Sequence, residues 1–454
     1  MTNGAAACEH TNPLVRVVLI NFDGGDITLR CIDALRATEY PRDRLQIVVV
    51  DNASVDGLVW VLRERYPDVS VIESNVNEGF ARGCNLALRD LDGIDYVALI
   101  NNDAIVTPNW LQPLLDGFTH PNVGAVCPKL LLNVEAHAVM VQPERLTTLP
   151  DGRAVGVRVQ QVELNGVDRT FYVRFDERFW GDKRARANDH HGAWTKGLAS
   201  IWWPASPDQP VDHVDVHIAA QQSTTALVGG PDEMQPVHLT TSAVPVRCSI
   251  DRTVHIINSA GGALYSGWFG GDRGFMEPDL GQYDQPQEVF SWCGGAVLLS
   301  TQYLREVGLF DSSYFLYYED FDLSWRGRSA GWTYRYEPSS VVFHEHAYSS
   351  KAGSAFFAFW VDRNRRLTLV KNAPAKVALR AAISSAVSLV RDLFYHSCRQ
   401  ARRLRPPNPG MVKRRLGEFW SFARAVPAAL RERRRLNRRR TVSHAEIATW
   451  TAHK

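Results

Sequence analysis

Between residues 15 and 103, four short apolar runs alternate with stretches whose apolar residues recur at helical spacing. The runs are 15–22, 45–52, 69–72 and 96–103, and the helical pattern occupies 27–37, 55–66 and 79–91. Each run is too short for a helix and too uniformly apolar for a strand with one wet face, so it reads as a strand covered on both sides. Strands separated by helices are joined by crossovers and lie parallel. The stretch therefore predicts an α/β fold with a mostly parallel sheet, whose ligands sit beyond the carboxyl ends of the strands. Asn21, Asp51 and Asp103 all fall at those ends, so one cleft can collect them.

With 454 residues, 45% of them hydrophobic, the chain has enough apolar surface for two or three cores. Its seven cysteines are scattered without a CxxC pair, which suits a reducing compartment better than a disulfide framework or a zinc site. No charged segment followed by an apolar run opens the sequence, and no stretch has the roughly 18 apolar residues of a membrane span. The expected location is cytoplasmic. The net charge of +2 conceals an asymmetry: residues 399–440 hold fifteen Arg or Lys against Glu418 and Glu432, leaving the remainder near −11.

A second concentration of polar groups lies at Tyr317-Tyr318-Glu319-Asp320-Phe321-Asp322-Leu323-Ser324-Trp325. A helix is expected to begin here and run to about Ala330, stopped by Gly331. On it Glu319 and Asp322 share a face while Asp320 points elsewhere. Acidic residues in a first turn also suit the helix dipole, and Asp322 can pair with Arg326 one turn on. Alone, the stretch is as well explained by capping as by chemistry.

The order of motifs adds a specific resemblance. Val50-Asp51-Asn52-Ala53-Ser54, Asn75-Val76-Asn77-Glu78-Gly79-Phe80-Ala81-Arg82-Gly83-Cys84-Asn85 and Leu99-Ile100-Asn101-Asn102-Asp103 resemble, in order and spacing, the nucleotide-sugar half of family 2 glycosyltransferases of the GT-A fold. The resemblance implies that Asp51 contacts a pyrimidine nucleoside and that Asn77 to Asn85, with Gly79 and Phe80, line the nucleotide pocket. Asn21, Asn52, Asn101 and Asn102 complete that donor set, and Asp103 holds a metal bridging the diphosphate. Asn101 and Asn102 stand where the family often has carboxylates, so only Asp103 supplies charge there. In the second half, 257–262, 270–275 and 281–284 look like the actinobacterial rhamnosyltransferase-like branch of the family. In Ser291-Trp292-Cys293-Gly294-Gly295 the resemblance places Trp292, Gly294 and Gly295 against donor sugar and acceptor, joined by Tyr318 and Trp325. Asp320 matches the family's general base, with Glu319 beside it raising its pKa or orienting the acceptor. His344 matches a metal ligand after the strand that ends in Phe343-His344-Glu345-His346, and is favoured over His346. The implied metal is Mn2+ or Mg2+.

The implied architecture is GT-A, Rossmann-like, with an inserted antiparallel β domain, expected as a sandwich, and a C-terminal helical tail. Its expected divisions are a leader 1–13, a nucleotide-sugar half 14–133, the insertion 134–254, an acceptor half 255–372 and a basic tail 373–454. The insertion shows strand-like alternation at 157–164, 171–175 and 211–218 around the turn signal Asn165-Gly166. Its Trp180, Trp194, Trp202 and Trp203 suit core more than sugar stacking, and His190, His191, His213 and His217 a solvated face more than a metal. The tail is expected to form helices at 356–371, 377–393 and 411–424. The last carries Leu416, Phe419, Trp420 and Phe422 among cations, which suits an anionic membrane surface first, a solvated charged helix nearly as well, and nucleic acid least. The implied reaction is inverting transfer, with L-rhamnose from dTDP-L-rhamnose first among donors. A UDP-sugar such as UDP-galactofuranose is the second donor, and a nucleotide-sugar or glycan-binding protein without turnover is the alternative class. The acceptor is expected to be a cell-surface glycan or its lipid-linked precursor; the sequence fixes neither linkage nor oligomeric state.

Overall fold

The computed structural model describes residues 12–180, 192–250, 252–345, 354–402 and 409–452. They fall into two compact units, one drawn from 1–129, 261–272 and 286–453, the other from 130–260 and 273–285. The leader to residue 11, His190, His191 and His346 lie outside the described residues.

In the first unit, β1 (Val15–Asn21), β2 (Leu45–Asp51), β3 (Val69–Glu73) and β4 (Tyr96–Ile100) are parallel in the order β3-β2-β1-β4. Helices α1 (Gly25–Arg36), α2 (Leu58–Arg65) and α3 (Gly79–Ala87) make the crossovers. This is the alternation that the apolar runs indicate. Helix α2 starts three residues later than its apolar pattern, because Gly57 takes a left-handed φ of 77° and Asp56 accepts from the Leu58 amide at 3.1 Å. Beyond β4 come β5 (Ala104–Val106), α4 (Leu111–Asp116) and the start of the long β6 (Val123–Pro143). Strand Ala296–Ser300 lies antiparallel to both β4 and β6. Strand Thr333–His344 pairs with β5, with His344 opposite Ala104.

The remaining helices of this unit are α5 (Thr301–Val307), α6 (Glu319–Ser329), α7 (Ala355–Asn372), α8 (Ala375–Arg402), α9 (Pro409–Arg439) and α10 (His444–Thr449). Ser354 caps α7 by accepting from Phe357 N at 3.1 Å, and Ser443 caps α10 in the Ser-x-x-Glu pattern of a capping box. Helix α9 runs through Pro427 to Arg439, fifteen residues past the end expected from its pattern. The chain then returns: Ile447 is buried with Leu264, Phe290 and Trp325, and Thr451–Ala452 pairs with strand Gly262–Tyr265. No helix among the described residues is long and apolar enough to cross a membrane.

The second unit contains no helix among its described residues. Strands Val157–Leu164, His213–Ala220 and Val244–Ser249 form one antiparallel layer. The later part of β6, with Ala199–Pro204 and Thr224–Gly229, forms another. Alternate residues from both layers, among them Val139, Val141, Val159, Val216, Ile201 and Trp203, share one core, the pattern of two facing sheets. Residues 171–173, read as strand from their aromatics, form a turn; only Arg174–Phe175 pairs.

Candidate active site

The parallel register sets Asn21 directly opposite Asp51 at the strand ends. The Asn21 amide donates to Asp51 Oδ1 at 3.0 Å and to Ser54 Oγ at 2.9 Å, and Thr28 Oγ1 donates to Asn21 Oδ1 at 2.8 Å. The Asn102 amide joins by donating to Thr28 Oγ1 at 2.9 Å. A side chain at Gly24 would overlap Thr28, Asn102 and Asn21 together, so glycine is needed for this mesh to close. Asn52 donates to Gly79 O at 3.1 Å, while its own buried Oδ1 accepts nothing among the described residues.

The Asn77–Asn85 motif does more structural than contact work. Asn77 Oδ1 accepts from Gly79 N at 2.9 Å, an Asx turn that opens α3. Asn85 exchanges both of its amide bonds with the backbone of Phe310, at 2.9 and 3.1 Å. Phe80 N donates to Phe315 O at 2.7 Å. The motif's side chains thereby tie the strand-end cluster to the 310–318 loop.

That loop ends in two consecutive non-glycine residues in the left-handed region, Tyr317 and Tyr318, each with φ of 69°. Asn364, wholly buried on α7, holds the conformation by donating to Leu316 O at 2.9 Å and Tyr317 O at 2.8 Å. Helix α6 begins at the next residue and sends its three carboxylates to different places. Asp322 is buried among Arg326 (3.0 Å), Lys371 (2.8 Å) and Asn372 (2.9 Å); the pairing expected with Arg326 is present and its role is structural. Glu319 is also buried, and its Oε2 has no hydrogen-bond partner. Burial first, and the Asp320 and Asp322 charges second, push its carboxyl well above the usual range. Asp320 alone is half-exposed. Its Oδ2 accepts from Gly294 N at 2.8 Å and its Oδ1 from Phe321 N at 2.6 Å. Its carboxyl is raised by burial, against the pull of those amides.

Gly294 and Gly295 connect the two clusters, since Asn101 N donates to Gly295 O at 2.9 Å. Tyr318 hydroxyl donates to Gly270 O at 3.1 Å. Trp292 and Trp325, expected against sugar, are buried instead: Trp292 packs edge-on to Phe310, and Trp325 stacks on Trp268 with ring centroids 5.8 Å apart.

His344 Nε2 lies 2.9 Å from Asp103 Oδ1 and 3.2 Å from Asn101 Nδ2. One ring nitrogen cannot donate to the carboxylate and accept from the amide at once. Asp103, His344 and, with its amide turned, the Asn101 oxygen would be able to hold a divalent cation, which would satisfy all three groups. The residues present thus fit a divalent ion as two charged or nitrogen ligands plus an amide. No larger His, Cys, Asp or Glu cluster occurs among the described residues.

Residues 16–173 match the family model described as Glycosyl transferase family 2. The chain carries a family 2 glycosyltransferase domain. It is 24% identical over 131 residues to the glycosyltransferase AglE of Haloferax volcanii, covering 25% of this chain and 43% of that protein. Over 60 residues it is 43% identical to the N-acetylglucosaminyl-diphospho-decaprenol L-rhamnosyltransferase of Mycobacterium tuberculosis, covering 13% of this chain and 20% of that protein. The matched stretches span less than half the length of either relative. Among solved structures, GalNAc-T7 with UDP, GalNAc and Mn2+ aligns at 13% identity and a TM-score of 0.46, covering 92% of this chain and 57% of that one. Within the glycosyltransferase domain and the segments folded with it, sequence reasoning missed Thr28, Ser54, Asn364 and Lys371. The Arg363-Asn364-Arg365-Arg366 run resembles a family end motif, and only the contact with Tyr317 gives its asparagine a role.

Proposed function

We propose that the chain is an inverting glycosyltransferase that moves a sugar from a nucleotide diphosphate donor to an acceptor hydroxyl. The observation that carries this reading is the pair Asp320 and Gly294: one half-exposed carboxylate, aimed by a backbone amide, on the loop that also bonds Asn101 at the donor side. The Asn21, Asp51 and Ser54 mesh takes the nucleoside, and the loop 292–295 lies between donor and acceptor. Asp320 accepts the acceptor proton as that oxygen bonds to the anomeric carbon; the bond from that carbon to the phosphate oxygen breaks, and the nucleoside diphosphate leaves with its electron pair. Asp103 and His344, with Asn101, would hold Mn2+ or Mg2+, which supplies positive charge against the leaving diphosphate. Glu319 is buried, and burial pushes its carboxyl well above the usual range, so Asp320 rather than Glu319 takes the proton.

The similarity to the mycobacterial rhamnosyltransferase supports dTDP-L-rhamnose as donor and a lipid-linked glycan precursor as acceptor. A thermal-shift panel of dTDP-L-rhamnose, UDP-galactofuranose, UDP-glucose and GDP-mannose, with and without Mn2+, tests it, because a ligand at 100 times its Kd adds about 2.7 kcal/mol. Metal-dependent stabilisation by dTDP-rhamnose, with donor hydrolysis lost in Asp320→Asn, is the expected result. Stabilisation by a UDP-sugar alone replaces the donor, and binding without turnover in the wild type overturns the enzymatic reading.

A further inference from the structure

Helix α8 leaves a continuous apolar face without a partner in the chain. Leu379, Ile383, Ala386, Val387, Val390 and Phe394 are all exposed, and at about 100° per residue they fall within roughly 100° of the helix circumference. The stripe is about 22 Å long, at about 1.5 Å per residue from Leu379 to Phe394. The opposite face of α8 is occupied, since Ala378, Ala381 and Ser385 are buried.

Charge identifies what can cover the stripe. Among the described side chains of α8, the exposed ionic residues are Lys376, Arg380 and Arg391. The packed neighbour α9 exposes further cations, including Lys413, Arg424 and Arg431. The carboxylates described on these two helices, Asp392, Glu418 and Glu432, are turned partly inward and paired with Arg415 or Arg435 at 2.7 to 2.9 Å. The exposed surface of the pair is therefore apolar and cationic. A second copy meeting the same face would set cations against cations. A nucleic acid would neutralise the charge and leave the apolar stripe uncovered.

We propose that the outward face of α8 seats the protein on an anionic lipid bilayer, lying in the plane of the interface. Apolar side chains then enter the acyl boundary while Lys376, Arg380 and Arg391 stay at the headgroups. The sequence pattern pointed instead to residues 411–424, but Phe422 there is buried and Phe419 turns inward, leaving Leu416 and Trp420 exposed. Residues 375–440 hold eighteen Arg or Lys against Asp392, Glu418 and Glu432, which leaves the rest of the chain near −13 and repelled by anionic headgroups, so the α8 side is the one that docks. The inference is independent of the transferase reading.

The test is co-sedimentation of the full chain with phosphatidylglycerol-containing vesicles and with pure phosphatidylcholine vesicles. Wild type is expected to pellet with the anionic vesicles, less so at high salt, and to stay in solution with the neutral ones. Val387→Glu with Val390→Glu, and separately Lys376→Glu with Arg380→Glu, should each lower the partition coefficient by about tenfold or more. Both pairs are exposed, so circular dichroism and Tm should stay at the wild-type value; a variant that loses its Tm is replaced by Phe394→Ser, read in the same assay. No binding to anionic vesicles, or binding unchanged in the apolar variant, overturns the proposal. So does a lipid-free dimer that Val387→Glu with Val390→Glu dissociates, which would assign the stripe to a second copy.

Discussion

The side-chain amide of Asn364 donates to the carbonyl oxygen of Tyr317 at 2.8 Å, and the same amide reaches Leu316 O at 2.9 Å. A helix far along the chain thus holds the strained step that launches the carboxylate helix. Two non-glycine residues at positive φ cost about 1–3 kcal/mol each and persist only when their surroundings enforce them. Asn364→Ala removes both donors and leaves a hole at a wholly buried position. Its stability should fall by about 2–4 kcal/mol, measured by urea denaturation. Transfer by the fraction that remains folded should fall as well, because Asp320 loses its fixed starting point. Unchanged kcat at full folding would reduce Asn364 to a packing residue.

Asp320→Asn should lower kcat by about 10²–10⁴-fold while leaving donor affinity nearly constant, since the amide keeps the contact to Gly294 N but cannot take a proton. The wild-type pH profile follows from the upward shift that burial imposes on this carboxyl. The base works only when ionised, so activity should rise with pH through a midpoint above the ordinary aspartate value. A midpoint at or below about pH 4 would assign the proton transfer elsewhere.

Glu319 behaves oppositely toward stability. Its folded pKa lies above its unfolded value, so the folded chain holds a proton that the unfolded chain releases. The stability this contributes is complete below the ordinary glutamate range and is lost as pH rises through the folded pKa. Glu319→Gln removes the titration while preserving shape, and should raise Tm by a few degrees, more at pH 8 than at pH 5. A gain independent of pH would show that the carboxyl does not titrate in this window.

Gly79 illustrates what was legible. The sequence marked a helix from Gly79 and, by resemblance, a nucleotide pocket; the structure adds why glycine stands there: φ is 72°, and a Cβ would overlap the carbonyl oxygen of Phe315. Gly79→Ala should cost about 2 kcal/mol or more, and should weaken donor and acceptor functions together because it parts α3 from the 310–318 loop. Loss of stability with both functions intact would show that the contact is packing alone.

The strand ends were readable because periodicity alone dictates a parallel sheet, and Asn21, Asp51 and Asp103 sit where such sheets gather ligands. The helix that carries Asp320 was readable from its acidic first turn and the Gly331 stop. The fates of its neighbours were not, since which of three carboxylates in one helical turn is buried depends on α7, some 40 to 50 residues later. Asn364 and Lys371 are polar residues on a helix whose pattern looks surface-like; only tertiary packing reverses that. Trp325 failed for the same reason, as an aromatic beside a reactive group serves equally as a wall or as a contact. The end of α9 was not legible either: the helix passes the expected stop at residue 424 and Pro427, with Ala429 and Leu436 buried beyond it.

Lys371 carries the last prediction. Its ammonium, almost wholly buried, bonds Asp311 at 2.7 Å and Asp322 at 2.8 Å, while Arg326 supplies the second positive charge. Two carboxylates and two cations balance only as a set. Burial alone would raise the Asp311 carboxyl, but the Lys371 charge and hydrogen bond hold it well below the usual range. Its contribution to stability is therefore complete above about pH 4 and is lost as pH falls toward its depressed folded pKa. Lys371→Met leaves one arginine facing the buried Asp322 and the half-buried Asp311 and should cost about 3–5 kcal/mol at neutral pH. It should also flatten the acid limb of the stability profile, because Asp311 then titrates nearer its unfolded value. Urea melts of both proteins between pH 7 and pH 3 separate the two effects: a neutral-pH loss with an unchanged acid limb would mean that Lys371 fills space, and that the charge on Asp311 is held by other groups.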